Sequence, residues 1–413
     1  MPFDLQRASA SMGGKLPRVV FLNPWERVIG PNRYLLELLR HSTPEVLSNT
    51  TVVFNCQTDA LDEYRQLGIR VDVWPELQPV FLNLSFRNVI RLFGLHTSGF
   101  VRFVYHLRGL RPEVLISNTE MLFVGQWAAR LLGIPHLQIF HAISFQYRLG
   151  NHPRLLRLYL KIMQAGSYRL IGVSHTLVTA LIKGGVPPHK VALIANPVSA
   201  TARMAEDGLP PELLARLERH SPVLVTAGKT SPMKGQDLLV EALPLVKAQF
   251  PGLLCIFVGG VGASDGADDT IAFAARVQQQ VAQYQLSDHV MWLDAVDYLP
   301  ALLKRADLYV QPSRTESFGR VVAEALLGGT PVVAFEVGAL PEVVGPGGVL
   351  VPFPDTQRMA GTICELLHDS ERRMALATQG KQHILKNYEA ALVAAEFQRL
   401  LAACPIGTRQ KQH

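Results

Sequence analysis

YVQPSRTESFGRVVAEALLGGTPVVAFEVGALPEV, residues 309–343, is the stretch on which the fold turns. A β-branched and aromatic run ends at about Gln311, and a polar loop carries Glu316. A helical pattern then begins near Ser317–Gly319, with Val321, Val322, Ala325 and Leu326 apolar, and Pro331–Ala334 is a second strand. Strand, helix and strand in about 30 residues make a parallel crossover.

The same alternation extends in both directions. Toward the N-terminus of this stretch lie strand signals at Val223–Ala227, Leu254–Val258 and Val290–Leu293, each followed by a helical pattern or a Gly-rich turn. An earlier series comprises Arg18–Leu22, Thr51–Phe54, Val71–Trp74, Val114–Ser117, His136–Phe140, Leu170–Val173 and Val191–Ile194. Near-continuous apolar strands alternating with helices mean parallel sheets covered on both faces. The polar, proline-bearing stretch from about Ser199 to Ser221 is the best linker. The expectation is an α/β protein of two Rossmann-like domains, residues 15–200 and 201–385, with ligands at the carboxyl ends of the strands in a cleft between them.

Length and composition agree with this. The 413 residues suit two domains, and 48% hydrophobic against 18% charged residues exclude a disordered chain. Net charge is +6, but the halves differ: residues 1–200 hold 21 Lys/Arg against 11 Asp/Glu, and residues 201–413 hold 19 against 23. The basic half is expected to meet something anionic. Cys56, Cys255, Cys364 and Cys404 form no CxxC or Cys/His cluster, which argues against a disulfide framework or structural zinc and for a reducing, cytoplasmic location. The N-terminus has no apolar signal-peptide core and no run reaches the roughly 20 residues of a membrane span, so a soluble protein is expected. The tail Gly407–His413 is expected to fray.

Two motifs carry the chemistry. The N–H groups of the helix turn at Ser317-Phe318-Gly319 form a donor nest for a sugar hydroxyl or a phosphate oxygen, with Glu316 at its mouth. Glu324 lies further along an otherwise apolar helix, so it must be paired, exposed, or bound to ligand hydroxyls. Alone, Glu316 would only complement a helix dipole and Glu324 would be a surface residue; the whole constellation favours a site. In the second motif, Thr226-Ala-Gly-Lys229-Thr-Ser-Pro-Met-Lys234-Gly-Gln-Asp237, two lysines flank a short loop after a strand. Such a loop can hold a diphosphate without a metal, although two solvated lysines would look the same. It is not a Walker A loop. Gly259-Gly260-Val261-Gly262 also follows a strand, but Asp265 stands where a dinucleotide fingerprint needs its last glycine. No Asp-x-Asp, HExxH or G-x-S-x-G occurs, so a metal site and a serine nucleophile are not expected.

The run from Pro312-Ser313 through Glu316 and Glu324 to Gly338-Ala-Leu-Pro341-Glu342-Val resembles the E-x7-E signature of retaining glycosyltransferases of the GT-B fold, family 4. The resemblance is strong over 223–345 and weaker over 18–200. It implies that Lys229 (an Arg in most of the family) and Lys234 grip the donor diphosphate. It also implies that Glu324 binds the ribose and Glu316 the donor sugar. Gly30-Pro31-Asn32-Arg33 falls at the family's N-terminal glycine loop, with Pro31 where a second glycine is usual, and His141 at its active-site histidine. Val173-Ser174-His175 and Asn196 resemble segments that close the first domain, and the last helix, within 386–413, is implied to cross back to it. The implied reaction is metal-independent, retaining hexosyl transfer from a nucleotide diphosphate sugar, UDP- or GDP-linked, to an acceptor hydroxyl, with no cofactor. Lys229, Lys234, His141 and Glu316 would be catalytic.

Two other readings stay open at this point: a nucleotide-sugar epimerase or hydrolase on the same fold, and a nucleotide-sugar-binding protein without turnover. Residues 81–170 hold 11 Lys/Arg and only Glu113 and Glu120, interleaved with apolar residues as in Leu155-Leu-Arg157-Leu-Tyr-Leu-Lys161. Basic amphipathic helices of this kind lie on anionic membranes, whence the expectation of a lipid-linked or membrane-surface acceptor; an ordinary helix pair with wet arginines is the plainer account. Nucleic acid is not expected, because no binding module accompanies the charge.

Overall fold

The computed structural model describes residues 16–24, 30–58, 60–75, 77, 97–142, 152–199, 208–260 and 267–406. Outside these fall Arg87, Arg91 and Arg148 of the basic stretch, residues 200–207 of the linker, residues 261–266 with Asp265, and the tail 407–413.

The chain divides into two compact units, one of residues 1–197 with 390–413, the other of residues 198–389. The first holds a seven-stranded parallel sheet of β1 (Val19–Asn23), β2 (Thr50–Phe54), β3 (Arg70–Val73), β4 (Val114–Ser117), β5 (His136–Phe140), β6 (Arg169–Gly172) and β7 (Val191–Leu193). Their spatial order is β3-β2-β1-β4-β5-β6-β7, all pairs parallel. Strands β1, β4 and β5 are buried at every position; β1 and β4 are accordingly apolar up to their last residue, while β5 also buries His136 and Gln138. The helices that matter below are α1 (Gly30–Arg40), α2 (Thr97–Leu110), α3 (Phe123–Leu132) and α4 (Pro153–Gly166).

The second unit holds β8 (Val223–Ala227), β9 (Leu254–Val258), β10 (Val290–Leu293), β11 (Leu308–Gln311), β12 (Val332–Phe335) and β13 (Gly348–Val351), in the order β10-β9-β8-β11-β12-β13. Helix α5 (Gln236–Gln249) follows β8, and α6 (Arg320–Gly328) follows β11. Leu239, Leu243 and Val246 of α5 join Phe257, Val310 and Phe335 of the sheet in one core. Helix α7 (Ala390–Ala402) belongs to the first unit: Phe397 packs on Phe21 of β1 at 6.0 Å between ring centroids, and both are fully buried.

Two readings of the sequence need correction. The linker stretch contains a helix, Pro211–Arg219, which starts on a proline at its first position, where no N–H is needed, and buries Leu213. Strand β13 was not anticipated: it is short, only partly buried, and follows the turn residues Gly345-Pro346-Gly347. The described residues hold no helix long and apolar enough to cross a membrane.

Candidate active site

In each sheet the strand order reverses once, between β1 and β4 in the first and between β8 and β11 in the second. The crevice outside the carboxyl ends at such a reversal is where open α/β sheets bind ligands. The sequence motifs lie at these two places.

In the second unit, the loop after β8 carries Lys229 and Lys234, and the loop after β11 carries Glu316. Lys234 Nζ donates to Glu316 Oε2 at 2.6 Å, with the lysine side chain one-third exposed and the glutamate 12% exposed. The two groups read from the sequence as separate ligands of a diphosphate and a sugar are thus an ion pair here. A relay leads to them from the core. Buried Tyr309 donates to Gln311 Oε1 (2.6 Å), Gln311 Nε2 donates to Ser313 Oγ (2.5 Å), and Ser313 Oγ donates to Glu316 Oε2 (3.5 Å). Burial, with the nearby Glu316 and Glu324 carboxylates, pushes the Tyr309 phenol up, so it stays a hydroxyl donor.

The loop between the lysines is pinned to the Glu316 loop. Arg314 reaches both carboxylate oxygens of Asp237 at 2.8 and 2.7 Å and also the carbonyl of Pro232 at 2.8 Å, and its own N–H donates to the Met233 carbonyl at 2.9 Å. The hydrogen bond to Asp237 raises the Arg314 pKa further, as a bidentate fork does. Gly235 turns the chain into α5 at φ +68°, and a Cβ there would collide with the carbonyl of Pro312. Arg314, Asp237 and the relay were not singled out in the sequence. The clue was Arg314 inside the motif, a cation too close to Glu316 to be incidental.

Helix α6 starts at Arg320 after Gly319 in the left-handed region (φ +91°), one residue beyond the predicted turn at Ser317–Gly319. Ser317 is half-buried. Phe318 is 3% exposed with its ring edge-on to Tyr388 at 5.2 Å, so what Phe318 can offer a ligand is backbone. Glu324, two-thirds of the way from Glu316 to the end of α6, keeps 18% of its side chain exposed and meets Arg320 at 3.3 Å.

In the first unit, Gly30 is the exposed first residue of α1 and His141 follows β5. Between them runs a buried chain of amides. Tyr64 Oη donates to Asn32 Oδ1 (2.5 Å), Asn23 Nδ2 donates to the same oxygen (3.1 Å), and Asn118 Nδ2 donates to Asn23 Oδ1 and to the Pro31 carbonyl (both 3.0 Å). His141 Nε2 lies 2.8 Å from Asn118 Oδ1, its backbone N–H donates to Glu120 Oε2 (3.2 Å), and its ring meets Tyr34 edge-on at 4.9 Å. Behind this, His136 sits between Ser117 and Ser167 at 2.9 Å each, and burial pushes its imidazole down to about 3, so it is a neutral core residue. Ser174 caps the helix His175–Lys183 by accepting from the Leu177 N–H, a structural role. The Asn23–Asn32–Asn118 chain was not foreseen; asparagines at the ends of two adjacent strands were its only signal. Among the described residues, no group of three or more His, Cys, Asp or Glu is placed to hold a metal ion.

Comparison with known proteins gives the class. Residues 30–197 match the family model of the glycosyl transferase 4-like domain, and residues 215–383 match that of glycosyl transferases group 1. The two matches take in most of the chain, and it belongs to the GT-B glycosyltransferases of family 4. Over 235 residues it is 31% identical to the D-inositol 3-phosphate glycosyltransferase of Jonesia denitrificans, covering 54% of this chain and 52% of that protein. It is 30% identical to the GDP-mannose-dependent alpha-(1-6)-phosphatidylinositol monomannoside mannosyltransferase of Mycolicibacterium smegmatis, covering 49% and 54%. The alignments thus span about half the length of these curated relatives. Among solved structures, Anabaena Alr3699/HepE, in complex with UDP and glucose, has the same fold with a TM-score of 0.76 and 21% identity, covering 93% of this chain and 99% of that one.

Proposed function

We propose that the protein is a retaining, metal-independent hexosyltransferase that uses a UDP- or GDP-sugar. The observation that carries this is the Lys234–Glu316 pair at the β8/β11 reversal, with Lys229 on the same loop and Glu324 on the helix that follows. The difficult species in such a reaction are an oxocarbenium-like sugar and a departing diphosphate, and fixed charges and dipoles stabilise both without reorganisation. Lys229, Lys234 and the start of α6 face the leaving-group charge, Glu316 takes the sugar hydroxyls, Glu324 takes the ribose, and His141 accepts a sugar hydroxyl. The bond from C1 to the diphosphate oxygen breaks and the acceptor oxygen bonds C1 on the same face. The acceptor proton passes to the leaving phosphate, so no protein nucleophile is needed. The tyrosine relay behind Glu316 favours this over an inert binding pocket, since its Ser313 end and Lys234 donate together to one carboxylate oxygen.

Thermal shift with UDP, GDP, ADP and dTDP, without added metal, tests the donor site. One nucleotide at 100 times its dissociation constant should stabilise the protein by about 2.7 kcal/mol, and Glu324→Ala should remove most of that shift. No shift with any nucleotide overturns the reading. An equal shift in Glu324→Ala removes the ribose role from that residue.

We further propose that the acceptor is lipid-linked and is met at the cytoplasmic face of a membrane through α4. Leu158 (54% exposed), Leu155 and Ile162 form one outward stripe on this helix, beside a second stripe of exposed Arg154, Arg157 and Lys161, while Tyr159, Leu160 and Met163 face the core. Apolar residues edged by cations on one wet face suit an anionic lipid surface, and the name of the mannosyltransferase relative includes phosphatidylinositol monomannoside, a lipid. The protein should sediment with anionic liposomes at low salt and be released by high salt; failure to sediment sinks the membrane reading.

A further inference from the structure

The amide chain at the β1/β4 reversal fixes more than the position of His141. The carbonyl of Pro31 can only accept a hydrogen bond, so the Asn118 side-chain atom 3.0 Å from it must be the nitrogen. Its second N–H is spent on Asn23 Oδ1, which is held as an acceptor because Asn23 Nδ2 donates to Asn32 Oδ1. The remaining Asn118 atom, Oδ1, can only accept, and it stands 2.8 Å from His141 Nε2. The ring nitrogen that faces it must carry the proton. We infer that Asn118 is a positioning residue that holds the proton of His141 on Nε2, and so locks the Nε2–H tautomer whenever the ring is neutral.

The other groups on this ring are consistent with a fixed orientation. Tyr34 packs edge-on against it, and Glu120 holds the residue's backbone N–H while Tyr159 donates to the Glu120 carbonyl. Asn118 also ties the first turn of α1 to His141, because the carbonyl it holds is that of Pro31. Proline at this position suits the arrangement: it gives up an N–H that helix starts do not use and keeps the carbonyl. This inference rests on the proposed function only for its consequence. In a transferase, the Nε2–H of this ring would not be offered to the sugar, because Asn118 Oδ1 takes it.

The test is ¹⁵N NMR of the His141 ring in the full chain, assigned by its loss in His141→Gln. Wild type should show the Nε2–H form alone at neutral pH. Asn118→Leu, which removes the acceptor facing Nε2, should give averaged ring shifts. With the donor found by thermal shift, Asn118→Leu should lower kcat on the order of tenfold, the worth of one well-placed hydrogen bond, with KM little changed. Averaged shifts or an Nδ1–H form in wild type overturn the inference by themselves, whether or not a variant folds. A locked ring in Asn118→Leu also overturns it. A locked wild-type ring in a protein without turnover would instead count against the transferase reading and leave the tautomer assignment standing.

Discussion

Lys234→Met is expected to lower turnover by roughly 10²–10³-fold, the loss that follows removal of one preorganised group aimed at developing charge. The partner substitution gives a different result. Lys234 is held by Glu316 at 2.6 Å, so an arriving diphosphate must compete with a carboxylate for the ammonium. Glu316→Gln keeps the shape and removes the competitor. Nucleoside diphosphate should therefore bind this variant at least as tightly as wild type, while turnover of the nucleotide sugar falls on the order of 10²-fold because its hydroxyl acceptor is weakened. Calorimetric titration with the diphosphate, set beside steady-state rates, separates the two effects. A parallel loss of diphosphate affinity and turnover in Glu316→Gln would mean that the carboxylate supports the lysine and does not compete for it.

Gly338→Ala should be, with Gly235→Ala, among the most damaging single-methyl changes near the site. Gly338 has φ +54°, and a Cβ there would run into the carbonyl oxygen of Glu316, the same oxygen that accepts the Ala339 N–H at 2.9 Å. Backbone strain and overpacking each cost about 1–3 kcal/mol. A loss of about 3 kcal/mol corresponds to a fall of roughly 6–12 °C in Tm for a unit of this size. Because the loop that must retreat is the one presenting Glu316, nucleotide-sugar binding should fall with it. Gly361→Ala is the control: it lies inside a helix with nothing within 4 Å of the added carbon, and alanine there should be neutral or stabilising by up to about 1 kcal/mol. A Gly338→Ala protein as stable as wild type would show that the Glu316 loop is loose.

Much of this was legible in the chain because doubly covered strands cannot hide. Val19–Asn23, Leu254–Val258 and Leu308–Gln311 are buried at every position, so each is written as an apolar run, broken only at its last residue by Asn23 and Gln311 in the first and third. Gly348–Val351 escaped because an edge strand is half wet and its turn residues resemble a loop. The site residues were legible as types and not as partners. Lys234 and Glu316 lie 82 positions apart, and nothing local in either motif says that one charge neutralises the other. Arg314 and Asp237, 77 apart, escaped for the same reason. The amide chain was harder still, since Asn23 and Asn118 sit at strand ends where turn asparagines ordinarily sit, the parallel pairing of β1 with β4 brings these two together, and Asn32 joins them from the first turn of α1.

Helix α7 gives the order in which the two units can be finished as the chain is made. Residues 198–389 are continuous, so the second unit has its whole sequence in hand before the last helix is translated. The first unit does not. Phe21 is made before the whole of the second unit, and the ring that covers it, Phe397, is made after it. Until α7 has been made the first sheet therefore carries an open apolar seam, and a chain that stops before Ala390 can complete the second unit and never the first.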